Sequence, residues 1–330
     1  VFGTVLLPAV IVGIGGWSIP GNVFGSDSTD AFIFATIPVI IFYVGLYLRA
    51  SLEDKKPLVG LLSIFAVSIL FWAVFKQNGT ALTTWAQYYT DRELPAVISP
   101  AANDLYLAER VVNANDTVPR YDDEFRLVKV DGVAQTEYGK PVYFKNLQPE
   151  LMPAEGETLY LGNTELFQSI NPLWVIILTP LVVAFFAFLR RRGMEPSTAS
   201  KIGWGLLVSA LSTLVMVWAV RICDNGEIKA SSWWLIATYG VVTIGELMLS
   251  PMGLSLVSKV SPKRLTALMM GGWFLSTSIG NKLSGVLASL WDTYADKADF
   301  FWVNFALLGV ATLIMFAMLR WLNRIIPEQK

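Results

Sequence analysis

The sequence predicts an all-α membrane protein, and three observations support this fold class. Of the 330 residues, 54% are hydrophobic and only 15% are charged, whereas soluble domains carry about 25% charged residues. Eight apolar segments approach the length of about 20 residues that crossing a bilayer requires. Basic residues are concentrated in alternate connections, as in proteins that span a membrane. The net charge of −1 argues against a nucleic-acid partner. The sequence has no histidine, which excludes a histidine-based metal or catalytic site.

The eight segments are joined by short connections and by one long insertion. They cover residues 1–19, 31–49, 57–89, 160–189, 202–221, 232–257, 264–290 and 299–322. Thirteen basic residues follow the even-numbered segments: Arg49, Lys55, Lys56, Arg190, Arg191, Arg192, Lys201, Lys259, Lys263, Arg264, Arg320, Arg324 and Lys330. The other short connections hold three: Arg221, Lys229 and Lys297. Basic loops stay in the cytoplasm, so we expect both ends of the chain there and the insertion outside. No charged region precedes the first segment, so we expect no signal peptide and read the chain as part of a longer protein.

The insertion, residues 90–160, is predicted to be a small soluble unit. The stretch PAANDLYLAERVVNAND is compatible with a short helix, while FRLVKVDGV and GKPVYFKNL suggest strands joined by turns. We favour a passive cap, and a receptor-like cap is the alternative.

Glu246 is the residue from which a functional hypothesis starts. It is the only acidic residue between Glu227 and Asp292 and lies inside the sixth segment. Placing a carboxylate there costs roughly 2.5–3.5 kcal/mol, and such residues usually handle ions or substrates. Ser250, four residues later, shares its helical face. The pair predicts a cavity wall that binds a cation or ammonium group or takes up a proton. A structural carboxylate bonded to a neighbouring helix is the alternative.

Lys76 is the only charged residue between Lys56 and Asp91. A lysine that deep should pair with a carboxylate, either Glu246 or one on a part of the protein outside this chain. Lys282 is expected to reach outward to the membrane surface or to pack against the last helix.

Two tryptophans, Trp72 and Trp273, lie in the middle of apolar segments near polar residues. They are either packing residues or walls of a polar cavity. Asn171 and Pro172 fall about two turns inside the fourth helix, where proline should disturb the backbone hydrogen bonds.

Four motifs resemble the second half of the proton-dependent oligopeptide transporters, a branch of the major facilitator superfamily. In order they are FWAVFKQNGTALTTWA, QSINPLWVIILTP, GELMLSPMGLSLVSKVSP and MMGGWFLSTSIGN. The resemblance implies a C-terminal six-helix bundle of two inverted three-helix repeats over residues 56–330, which contains the insertion. Residues 1–55 resemble the accessory helical pair, with a cytoplasmic linker, of bacterial members.

The resemblance also assigns roles to the site residues. Glu246 matches the glutamate that contacts the peptide amino terminus, and Asn171 matches an asparagine near the same terminus. Ser250 matches a pocket residue. Trp72 and Trp273 match the aromatic walls of the side-chain pockets.

Two departures from the family pattern concern the gate and the partner bundle. The family has a carboxylate where this chain has Lys76, next to Gln77, and that carboxylate pairs with a lysine of the other half to close the outer gate. Lys76 therefore reverses or abolishes the pair. The N-terminal six-helix bundle, which holds the ExxER proton motif, lies outside this sequence.

The resemblance implies proton-coupled symport of di- and tripeptides across a bacterial inner membrane, with both termini cytoplasmic and residues 90–160 periplasmic. The expected partners are small peptides, the lipid bilayer and the missing bundle. No cofactor other than the coupled proton, no metal and no enzymatic activity is expected. A symporter for nitrate or a modified amino acid, and a non-transporting scaffold or receptor subunit, are the alternatives.

Overall fold

A computed structural model describes residues 2–24 and 26–325. Lys330, one of the basic residues predicted to be cytoplasmic, lies outside the described residues, as does Val1, with which the first predicted segment begins.

The chain starts with a hairpin of apolar helices. After a π-helical turn, Phe2–Leu6, it forms α1, Leu7–Trp17, and α2, Asp27–Arg49. The buried carboxylate of Asp30 accepts hydrogen bonds from the backbone N–H groups of Val23 and Phe24, both at 2.7 Å. The hairpin turn is thereby fixed by a side chain of α2.

The predicted segment 57–89 is one helix interrupted by a tight turn. Helix α3, Leu52–Phe75, ends in a 3₁₀ turn, Lys76–Gly79, and α4, Ala81–Tyr88, continues to the insertion. The turn contains Asn78 and Gly79, two poor helix formers. Lys76 is therefore at the end of a helix rather than within one.

The insertion consists of short strands and turns. Its elements are β1, Thr90–Asp91; α5, Ser99–Asp104; β2, Ala108–Val112; β3, Asp116–Pro119; β4, Lys129–Val130; β5, Val133–Ala134; β6, Thr136–Gly139; and β7, Thr158–Gly162. Antiparallel pairs form between β2 and β7, β3 and β6, and β4 and β5. The Asp131–Gly132 turn, with positive φ at both residues, closes the last pair as the sequence DG predicts.

One expectation about the insertion is confirmed and one is wrong. The short helix predicted within PAANDLYLAERVVNAND is α5, which ends at Asp104 and is followed by β2. The stretch GKPVYFKNL contains a 3₁₀ helix, Val142–Asn146, in place of a strand. Tyr143 and Phe144 are consecutive and both buried, whereas a strand would point successive side chains to opposite faces.

Five long helices, one preceded by a short strand, complete the chain. They are α6, Glu165–Arg191; α7, Thr198–Ile222; α8, Ser232–Val260, which follows β8, Ala230–Ser231; α9, Thr266–Ser289; and α10, Lys297–Ile325.

All eight predicted segments are helical, but within the described residues six stretches are long and apolar enough to cross a bilayer. These are α2, α3 with α4, α6, α7, α8 and α10. Helix α1 is too short, and α9 is too polar, with Asn281 and Lys282 among a run of serines, threonines and glycines.

Small residues allow the helices to approach closely. A Cβ on Gly205 of α7 would lie 2.8 Å from the carbonyl oxygen of Gly245 on α8, so these backbones touch. Helix α9 contacts α3 in the same way, since Gly280 lies against Trp72. The hydroxyl of Tyr43 on α2 donates to the carbonyl of Leu268 at 2.7 Å, which attaches the accessory pair to α9.

The insertion packs into the bundle instead of standing apart from it. Phe125 is buried in a core that α4, α7, α8 and α10 share. Strand β1 pairs in parallel with β8. Lys229, between α7 and α8, lies 4.2 Å from the centre of the Tyr143 ring and donates to the carbonyl of Tyr88 at 3.1 Å. The insertion is thus part of the core at one end of the bundle.

Candidate functional site

The candidate site is centred on Glu246 in α8. Its carboxylate oxygen Oε2 accepts a hydrogen bond of 3.2 Å from Nδ2 of Asn171 on α6. The same nitrogen donates to Oγ1 of Thr243 at 2.9 Å, and that hydroxyl donates to the carbonyl of Tyr239 at 2.6 Å. The amide is held by two acceptors on α8, so the structure brings together the two residues predicted to bind an amino terminus.

Glu246 is half-buried and keeps one carboxylate oxygen, Oε1, that accepts no hydrogen bond from the described residues. A half-buried carboxylate beside an oriented amide can receive an ammonium group through charge-assisted hydrogen bonds. Ser250 lies one turn further along α8 and is also half-buried. Within residues 2–24 and 26–325 no cluster of acidic, cysteine or histidine side chains could hold a metal ion.

Lys76 forms no salt bridge with the described residues. Its ammonium lies 5.7 Å from the centre of the Phe75 ring. Of the two predicted partners, Glu246 is therefore not in contact with it. Lys282, half-buried in α9, also has no ion pair in the part of the chain that the structure describes.

Gln77, which the sequence placed with Lys76 at the gate, has its side chain hydrogen-bonded within the bundle. Its Nε2 donates to the carbonyl of Ser284 on α9 at 3.1 Å and to that of Ala73 at 3.3 Å. Its Oε1 accepts from the hydroxyl of Thr80 at 2.8 Å. The side chain thus stabilises the turn between α3 and α4 and joins it to α9.

Trp72 and Trp273 lie in the apolar core rather than beside Glu246. They are 7% and 2% exposed. Trp72 packs against Phe71 and Phe75, with ring centres 5.1 and 5.6 Å away. Trp273 fits between Phe65 of α3 and Gly253 of α8, where a Cβ would overlap its ring. In this arrangement both residues occupy the packing positions that were one of their two predicted roles.

Sequence reasoning missed Thr243 and Asn304. Thr243 lies three residues before Glu246 and seven before Ser250, a spacing that places all three on one helical face and is visible in the sequence. Asn304 is a buried amide in α10, and nothing in the spacing of its neighbours indicates where it points.

Comparisons with known proteins relate this chain to peptide transporters. Residues 153–303 match the POT family. The chain is 38% identical to the dipeptide and tripeptide permease A of Proteus mirabilis over 126 residues. This aligned region covers 38% of this chain and 25% of that permease. It is 24% identical to the peptide transporter YePEPT of Yersinia enterocolitica over 288 residues. This aligned region covers 87% of this chain and 44% of that transporter.

Solved structures show the same fold. A mutant of the peptide transporter POT in complex with sulfate superimposes with a TM-score of 0.65 at 22% identity, over 99% of this chain and 54% of that one. A POT family transporter in complex with a thioalcohol-conjugated peptide gives a TM-score of 0.64 at 20% identity, over 98% of this chain and 53% of that one. The chain shares the helical fold of these two structures and spans about half of their length.

Proposed function

We propose that this chain, whose residues 153–303 match the POT family model, forms the half of a proton-coupled di- and tripeptide symporter that binds the peptide amino terminus. The relatives that it matches are named as peptide permeases and peptide transporters. Six helical stretches of the described residues are apolar and long enough to span a membrane. The proposal includes a bacterial inner membrane, cytoplasmic termini and a periplasmic insertion.

The hydrogen bond between Asn171 and Glu246 carries the proposal. An ionised carboxylate in a membrane-spanning helix is unfavourable unless a partner compensates its charge. No cation contacts Glu246 in the described chain, and the ammonium group of a peptide would supply one. Asn171 fixes one carboxylate oxygen and leaves the other to the ligand.

In this proposal the carboxyl group of Glu246 also couples peptide binding to proton binding. When no peptide is bound, a carboxyl in a poorly hydrated site favours its protonated form, and an arriving ammonium favours the ionised form. Peptide binding and proton binding would then be linked at Glu246, while the groups that bind the peptide carboxylate lie in the N-terminal bundle of the whole transporter.

Lys76 favours a second candidate within the same branch. It is half-buried, and no salt bridge neutralises it within the described residues. An anionic substrate such as nitrate, or a modified amino acid with an additional negative group, would interact favourably with it. Competition between such anions and peptides for uptake distinguishes the two candidates.

The test is peptide uptake by the full-length protein in vesicles with an imposed proton gradient. Wild type should accumulate dipeptides only with the gradient, and Glu246→Gln should lose most of this uptake at normal expression. Glu227→Gln, which removes the same charge from an exposed loop position, should transport normally. Gradient-driven uptake by Glu246→Gln at the wild-type rate would refute the proposal.

A further inference from the structure

A small cavity adjoins the Glu246 site. It has a volume of ≈ 30 Å³ and is bounded by the end of α3 and by α4, α6, α7, α8 and α10. A water molecule needs roughly 10–15 Å³ of such volume, so the cavity can hold about two. Asn171, which bonds Glu246, is one of its lining residues.

Asn304 of α10 lines this cavity with an acceptor that has no partner. The side chain is 2% exposed, and its Nδ2 donates to the carbonyl of Phe300 at 3.0 Å. Its Oδ1 is buried and accepts no hydrogen bond from the described residues. Buried side-chain oxygens in proteins are nearly always hydrogen-bonded, to protein or to water.

The hydroxyl groups around the cavity cannot supply the missing donor. Ser212 donates to the carbonyl of Ser209 at 2.7 Å, and Thr213 to that of Ala210 at 2.8 Å. Thr238 donates to the carbonyl of Trp234 at 2.8 Å, and Tyr239 donates to that of Asn78 at 3.4 Å. Each hydroxyl has a single hydrogen and has used it on a backbone carbonyl, so it can only accept further bonds. The side-chain amide of Asn78 also lines the cavity, but it makes no hydrogen bond to Asn304 Oδ1. The lining thus offers several oxygen acceptors, and a ligand that donates hydrogen bonds matches them.

We propose that this cavity is a binding site for ordered water, held by Asn304 and by the lining hydroxyls of α7 and α8. Water donates two hydrogen bonds and accepts others, so it satisfies Asn304 Oδ1 and the lining hydroxyls together. No acidic side chain lines the cavity, which favours neutral water over a cation. The water site lies one side chain from Glu246, because Asn171 lines the cavity and also donates to that carboxylate.

Radiolytic hydroxyl-radical labelling of the full-length protein tests this proposal, because radicals formed from bound water oxidise adjacent methionines. Met216 lines the cavity, while Met269 and Met315 do not. All three are 0% exposed. Met216 should therefore be oxidised several-fold more than the other two in a short X-ray pulse. Oxidation of Met216 at the level of Met269 and Met315 would show a dry cavity and overturn the proposal.

Asn304→Leu removes the acceptor and fills part of the space, so oxidation of Met216 should fall to the level of the other two methionines. Thr312→Val is the matched control. Thr312 is buried in the same helix, donates to Leu308 at 2.7 Å and does not line the cavity. Met216 oxidation that survives Asn304→Leu would also contradict the assignment. The wild-type comparison needs no variant and no substrate, so its result is independent of the proposed transport function.

Discussion

Among the described residues, one amide, that of Asn171, donates a hydrogen bond to the Glu246 carboxylate. We expect Asn171→Leu to weaken binding of a dipeptide to the full-length protein by about tenfold or more, since a hydrogen bond to a charged group contributes about 1.5–3 kcal/mol. Thr243→Val removes only the second acceptor of that amide and should cost less. Dissociation constants of the dipeptide, measured by calorimetry, show whether Asn171→Leu loses more affinity than Thr243→Val. Equal losses would show that the bond to Glu246 has no special role.

Lys76 is the residue at which this chain departs most clearly from the family pattern. We expect its partner to be an acidic residue of the N-terminal bundle, so that the gate pair is kept with its charges exchanged. Lys76→Glu should impair uptake by placing two acids together, and a lysine at the partner position should restore it.

The control for the gate is Lys282→Ala, which removes another half-buried lysine without an ion pair to any described residue. This variant should transport like wild type, while Lys76→Ala should not. Normal uptake by Lys76→Ala would mean that Lys76 is not part of a gate.

At the scale of elements, Glu195 joins α6 to α7. Its carboxylate contacts Arg190 and Lys201, both at 2.6 Å. These hydrogen-bonded cations lower the pKa of Glu195 from 4.5 to about 2. Because the pKa is lower in the folded state, the stabilisation is complete above about pH 4.5 and is lost as the pH falls toward 2.

Glu195→Gln should therefore lower the free energy of unfolding at pH 7 by about 1 kcal/mol, as partly exposed ion pairs contribute little more. Thermal unfolding in detergent from pH 7 to pH 3 measures the effect, and Glu227→Gln serves as the control for the loss of one charge. The difference between wild type and Glu195→Gln should shrink as the pH falls. A difference that grows toward low pH would contradict the assigned ion pairs.

The sequence was sufficient to predict the helices, because a run of about 20 apolar residues in lipid has almost no structure open to it other than a helix. It was not sufficient to predict the turn Lys76–Gly79. Apolar residues continue on both sides of this turn, so the sequence reads as one uninterrupted helix. Its position as an acidic residue within an apolar segment singled out Glu246, and motif resemblance assigned Asn171 to the same site; the structure joins the two residues by a hydrogen bond. The resemblance also assigned Trp72 and Trp273 to the site. Trp72 is buried against α9 and Trp273 against α8, and contacts between residues so far apart in the sequence cannot be read from a local pattern.

At the scale of the whole molecule, we expect the insertion to stabilise the bundle, because the two share a core. The passive-cap expectation treats residues 90–160 as replaceable by a short linker, yet Phe125 packs between Tyr88 and Tyr89 at the end of α4, with ring centres 5.5 and 5.1 Å away. Phe125→Ala should lower the free energy of unfolding by about 3–5 kcal/mol, the usual effect of truncating a buried phenylalanine.

The matched control for Phe125 is Tyr138→Ala, which truncates an aromatic residue of the same insertion that is 78% exposed. Its thermal unfolding should follow wild type. A bundle whose melting temperature is unchanged by Phe125→Ala would support the passive cap.

The central claim is that Glu246 binds the amino terminus of a peptide, and a binding cycle on the full-length protein tests it most directly. The dissociation constants of a dipeptide and its N-acetylated form are measured with wild type and with Glu246→Gln. Acetylation removes the ammonium charge, so it should weaken binding to wild type by at least about tenfold and to Glu246→Gln by much less, a coupling of about 1.5–3 kcal/mol. An equal loss of affinity on acetylation in both proteins would give no coupling and would contradict the claim.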